Sequence, residues 1–93
     1  MTTGPDPRTL PPAERRAYWQ GLLDNAEAEH AALARMLQEE EDAWKRRSGL
    51  PFNEQESALY KATVEALGRM RMARRELNDL AQELGEPDPY PYG

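Results

Sequence analysis

Leu59, Thr63, Ala66, Met70, Ala73, Leu77, Leu80 and Leu84 follow one another at spacings that alternate four and three residues. Such an alternation averages about 3.5 residues and keeps one stripe facing one partner on a slightly under-wound helix. Upstream, Trp19, Leu23, Ala26, His30, Leu33, Leu37, Glu40 and Trp44 keep the same rhythm. Leu22, Met36 and Ala43 widen the stripe on one flank and Ala34 widens it on the other. The pattern predicts two long helices, over 12–47 and 54–84.

Between them, Ser48-Gly49-Leu50-Pro51-Phe52-Asn53 has the composition of a turn. Gly49 suits the left-handed conformation that ends a helix, Pro51 blocks continuation, and Asn53 followed by Glu56 forms an Asn-x-x-Glu variant of the capping box. Gly85 is a second stop, and Pro87, Pro89 and Pro91 make residues 85–93 an extended Pro/Tyr tail ending in Tyr90-Pro91-Tyr92-Gly93. Residues 1–11 hold several prolines and few apolar groups, so they are expected to form a flexible arm. Pro12 is tolerated in a first helical turn, where an N–H would have had no partner.

A turn of about six residues obliges long helices to lie antiparallel as neighbours. The expected fold class is therefore all-α: a long antiparallel helical hairpin, or two-helix coiled coil. If the numbers of facing residues add to about 103, the layers are Trp44 with Leu59, Glu40 with Thr63, Leu37 with Ala66, Leu33 with Met70, His30 with Ala73, Ala26 with Leu77 and Leu23 with Leu80. That register also sets Arg47 across from Glu56 and Glu27 beside Arg74. The hairpin core is expected at Trp19, Leu23, Leu33, Leu37, Trp44, Leu59, Met70, Leu77 and Leu80.

Leu22, Met36 and Ala43 on one side, and Ala34, Tyr60 and Leu67 on the other, are left over once the helices pair. Exposed together they would make an apolar strip of the kind monomers rarely carry. Two hairpins hiding these strips in each other would form a two-fold four-helix bundle, so a homodimer or higher homo-oligomer is expected. Composition points the same way, because a 93-residue chain with 31% charged residues and no Cys has little core and no disulfide to brace it.

Net charge is −5, from 12 Lys and Arg against 17 Asp and Glu, which repels a phosphate backbone and makes nucleic acid an unfavoured partner. The N-terminus lacks a basic segment followed by an apolar run, and no apolar run approaches the roughly 20 residues of a membrane helix. A cytoplasmic protein without a membrane partner is the expectation.

Candidate chemistry is sparse. The chain has a single His, Ser48 and Ser57 beside the turn, and no Gly-rich phosphate loop, so no enzyme and no cofactor are expected. Two alternatives carry named residues. Glu27 and His30 form a Glu-x-x-His pattern, and Glu76 comes to the same height, as in a ferritin-like di-iron bundle. Arg69, Arg71, Arg74 and Arg75 could present a face to anions or nucleic acid; the same arginines could instead pair with Glu27, Glu29, Glu65 and Glu76. Trp19-Gln20-Gly21 is similar to the Trp-x-Gly triplet that a family of small secreted helical hairpins carries in its inter-helix turn. Here the triplet lies inside the first helix, so that family's properties are not carried over. The favoured expectation is a non-enzymatic, homo-oligomerising interaction module, acting as regulator, adaptor or scaffold for another protein.

Overall fold

The computed structural model describes residues 6–92. Helix α1, Pro12–Ser48, and helix α2, Ala58–Glu83, pack side by side as an antiparallel hairpin about 54 Å long. No strand occurs among the described residues, and no helix there is long and apolar enough to cross a membrane.

Each helix end has a local chemical cause. Pro12 opens α1, with Glu14 in the first turn and Lys45, Arg46 and Arg47 in the last, charges that complement the helix dipole. Gly49 closes α1 at φ 67°, a conformation costly to any residue with a Cβ, and its N–H donates to the Lys45 carbonyl at 3.0 Å. At the far end Gly85 takes φ 74°, with its N–H donating to Gln82 and that of Glu86 to Ala81, a complete Schellman closure. Ahead of α1, Asp6 caps a single 3-10 turn, Pro7–Thr9, by accepting from the Arg8 N–H at 3.0 Å. Residues 1–5 of the expected arm lie outside the described residues.

The start of α2 differs from expectation. Asn53 does act as a cap, accepting from the Gln55 N–H at 3.2 Å, but what it caps is a three-residue 3-10 turn, Glu54–Glu56. Ser57 then returns to an extended conformation and becomes the cap of α2, its hydroxyl oxygen accepting from the Leu59 N–H at 3.1 Å. The reason is tertiary: Ser57 is buried, and its hydroxyl donates to the Glu40 carboxylate of α1. The expected capping box gives way to a cap that α1 holds in place.

That bond also corrects the register at the turn. Glu40 meets Ser57 rather than Thr63, whose own hydroxyl donates to the Leu59 carbonyl at 2.8 Å. The first turn of α2 is thus level with Glu40, and the last two turns of α1 project past it, with residues 49–57 folding back along the overhang. Arg47, expected across from Glu56, lies over the Trp44 ring. Further along, the expected neighbours Glu27 and Arg74 do meet, at 3.3 Å.

Burial is concentrated at the end away from the turn. Trp19, Leu23 and Ala26 of α1 interlock with Met70, Ala73 and Leu77 of α2. Leu80 and Ala81 extend the buried row. Past Ala26, no described residue of α1 is buried. Leu33, Leu37, Trp44 and Leu59, expected in the core, are only half-buried. At this end α1 carries Glu39-Glu40-Glu41-Asp42, four charged side chains in a row that leave the helices less apolar surface to close over.

The tail accounts for the other half of the asymmetry. Residues 86–90 fold back along α2, where the Asn78 side-chain amide donates to the Tyr90 carbonyl at 2.7 Å and its oxygen accepts from the Tyr90 N–H at 2.9 Å. Tyr90 packs against the core cluster beneath the Arg74 guanidinium. Arg16 pairs with Glu86 at 2.6 Å. The tail, with a bend at Pro89 and a turn at Pro91-Tyr92, lies on the hairpin.

Candidate functional site

The two flanks of the hairpin differ. On the flank that carries Arg16, Gln20, Glu27, Arg74 and Ala81, the tail lies across the helices and leaves a cleft of about 230 Å³ beneath Pro87 and Pro89. Leu67 is packed there together with Tyr90, and Tyr60 is half-buried nearer the turn. Ala34 on the same flank is exposed. Of the three apolar residues expected to await a partner on this side, Leu67 already has an intramolecular one.

The opposite flank is open. A sequence spacing of seven aligns Leu22, Glu29, Met36 and Ala43 along α1. At its far end a shallow groove of about 530 Å³ is lined by Ala17, Tyr18, Gly21, Leu22, Asn25, Ala26, Glu29 and Arg69. Leu22 and Ala43 are half-buried, whereas Tyr18, Met36 and, across on α2, Met72 are each between 44% and 48% exposed. Gly21 faces open space, so nothing but solvent fills the volume its missing side chain leaves. Two ion pairs, Arg15–Glu83 at 3.0 Å and Glu29–Arg69 at 2.6 Å, straddle the helices on this flank.

The expected arginine face is divided by the same geometry. Arg69 pairs with Glu29 on the open flank, while Arg74 pairs with Glu27 on the tail side and also lies over Tyr90. Arg71 and Arg75 are exposed on the outer surface of α2. The four charges therefore point three ways, and two of them are partly neutralised in place.

His30 is half-buried, Glu76 is half-buried, and the Glu27 carboxylate faces Arg74. Within one chain, no three His, Asp or Glu side chains among the described residues converge as metal ligands.

A third feature lies at the turn and was not singled out by the sequence pattern. Between the overhang of α1 and the returning loop lies an open pocket of about 420 Å³ lined by Glu40, Trp44, Pro51, Phe52, Asn53, Glu56 and Ser57. The Trp44 indole N–H donates to the Pro51 carbonyl at 3.2 Å, which fixes the ring as one wall. Arg47, which does not line the pocket, covers Trp44 with its guanidinium 5.6 Å from the ring centroid. Nearby, Glu41 hydrogen-bonds Lys45 at 2.7 Å, and this bond together with the negative charge raises the ammonium above its ordinary pKa. The only sequence signal for the pocket was a Trp seven residues before a Pro-Phe pair.

Set against protein-family models, curated proteins and solved structures, the chain matches none.

Proposed function

We propose that the protein is a non-enzymatic, homo-oligomerising helical-hairpin interaction module, serving as a regulator, adaptor or scaffold, and that it associates through the flank carrying Tyr18, Leu22, Met36 and Ala43. One observation supports the reading: the tail lies across one flank of the hairpin, while the other leaves Tyr18, Met36 and Met72 half in water beside a shallow groove. A second hairpin laid on that flank would bury the row and give Gly21 a close neighbour, in the manner of a two-fold bundle. The ion pair Glu29–Arg69 would lie within that interface, between Leu22 and Met36, and Arg15–Glu83 beyond Leu22 on the same flank. Of the six residues expected at an oligomer interface, this reading keeps Leu22, Met36 and Ala43.

The test is light scattering coupled to size exclusion. The expected result is a defined dimer that Tyr18→Glu together with Met36→Glu, both at exposed positions, converts to a monomer with unchanged helical circular dichroism. A wild-type chain that stays monomeric at about 100 μM, a concentration at which bundles of standard interface size associate, overturns the reading.

A further inference from the structure

We infer that the turn pocket is a receptor for an arginine side chain presented by a basic segment of a partner protein. Two of its walls, Trp44 and Phe52, are aromatic, and two carboxylates, Glu40 and Glu56, stand on its lining. A guanidinium is the side chain that satisfies both at once, because its plane stacks on an aromatic face while its edge donates in parallel to a carboxylate. The chain already uses the Trp44 ring in this way from outside the pocket, where Arg47 covers it.

The electrostatics agree. Residues 39–61 hold six carboxylates, at Glu39, Glu40, Glu41, Asp42, Glu54 and Glu56, against four cations, at Lys45, Arg46, Arg47 and Lys61. Of these cations Lys45 is held by Glu41 and Arg47 by Trp44. Ser57, the cap of α2, lies on the pocket, so the positive end of that helix dipole is present there, and the side chains of Glu40 and Glu56 stand against it. Glu40 accepts from Ser57 through one oxygen, Oε1, and this bond holds its carboxylate at the pocket. At about 420 Å³ the pocket has room for an arginine side chain together with neighbouring atoms of the segment that carries it.

The inference deepens the interaction-module reading by naming a partner class. Its failure is separate from that of self-association, which light scattering reads without any peptide. The experiment is a nitrogen-correlated NMR titration of the full chain with acetyl-Gly-Arg-Gly-amide, and in parallel with the citrulline peptide, which has the same shape and no charge. The expected result is a saturable shift of the Trp44 indole N–H and the Ser57 amide with the arginine peptide only, while the buried Trp19 indole stays still. Glu40→Gln with Glu56→Gln should weaken that binding about tenfold, the combined worth of two partly exposed ion pairs, with the Ser57 cap retained because glutamine still accepts its hydroxyl proton. Phe52→Leu, a loop change that leaves both helices intact, should weaken it as well. The proposal is overturned if the citrulline peptide shifts the same resonances equally, if the arginine peptide moves the Glu39 to Asp42 amides but not Trp44 and Ser57, or if neither double carboxamide nor Phe52→Leu alters the titration.

Discussion

The two ends of this hairpin are built from the same repeat and differ in almost everything else. Away from the turn, Trp19, Leu23 and Ala26 meet Met70, Ala73 and Leu77 in a closed core, with the tail laid against one side. Towards the turn, Leu33, Leu37, Trp44 and Leu59 keep the repeat but stay half-buried, and the helices are joined by a polar clasp between Glu40 and Ser57. A heptad pattern specifies which side of a helix faces its partner; it does not specify how completely that side is covered. Here the tail adds apolar cover at one end, through Tyr90, whereas the loop at the other end folds back on α1 with a polar clasp.

The largest test of this contrast is a matched pair of truncations. Leu23 is 1% exposed, so Leu23→Ala should destabilise the fold by about 2–5 kcal/mol, whereas Leu37→Ala, at a half-buried site that can relax into solvent, should cost less than half as much. Urea unfolding of the two variants measures the difference, and equal losses would erase the contrast. Next in size is the tail. Asn78→Ala removes both bonds to the Tyr90 backbone and should cost roughly 1–3 kcal/mol, while hydrogen exchange at the Tyr90 amide rises to that of an open chain. Protection that survives the substitution would mean that Tyr90 packing alone holds the tail. The smallest effect belongs to the turn. Ser57→Ala removes the cap of α2 and the partner of Glu40, both on a partly solvated end, and should lower stability by about 1 kcal/mol. The loss should appear as fraying of residues 58–61, visible in amide exchange, with the far core unchanged.

Asn53 and Ser57 show why the turn was only partly legible. Both are residue types that cap helices, both precede helix-compatible sequence, and Asn53 had Glu56 three residues on in its favour. Glu40 settles the competition by holding Ser57 extended, and no local pattern records a residue 17 positions away. The tail was illegible for the same reason. Its prolines announce a helix-incompetent chain, but the bonds that seat it come from one amide side chain, Asn78, which carries no periodic signal. The arginine cluster misled by proximity in sequence: Arg69 and Arg74 are five residues apart, which on a helix is enough to send them to opposite flanks.

The order of apolar positions, the glycines at 49 and 85 and the short connection were by themselves enough to determine two long helices folded antiparallel, because helical periodicity and stop signals act within a few residues and need no partner to be read. Which end of the seam becomes a core, where α2 begins, which flank stays open and that a pocket forms at the turn were decided in three dimensions. Each of those depends on side chains brought together from residues 12 to 70 positions apart, and such encounters are set by the shape of the packed chain rather than by any stretch of it.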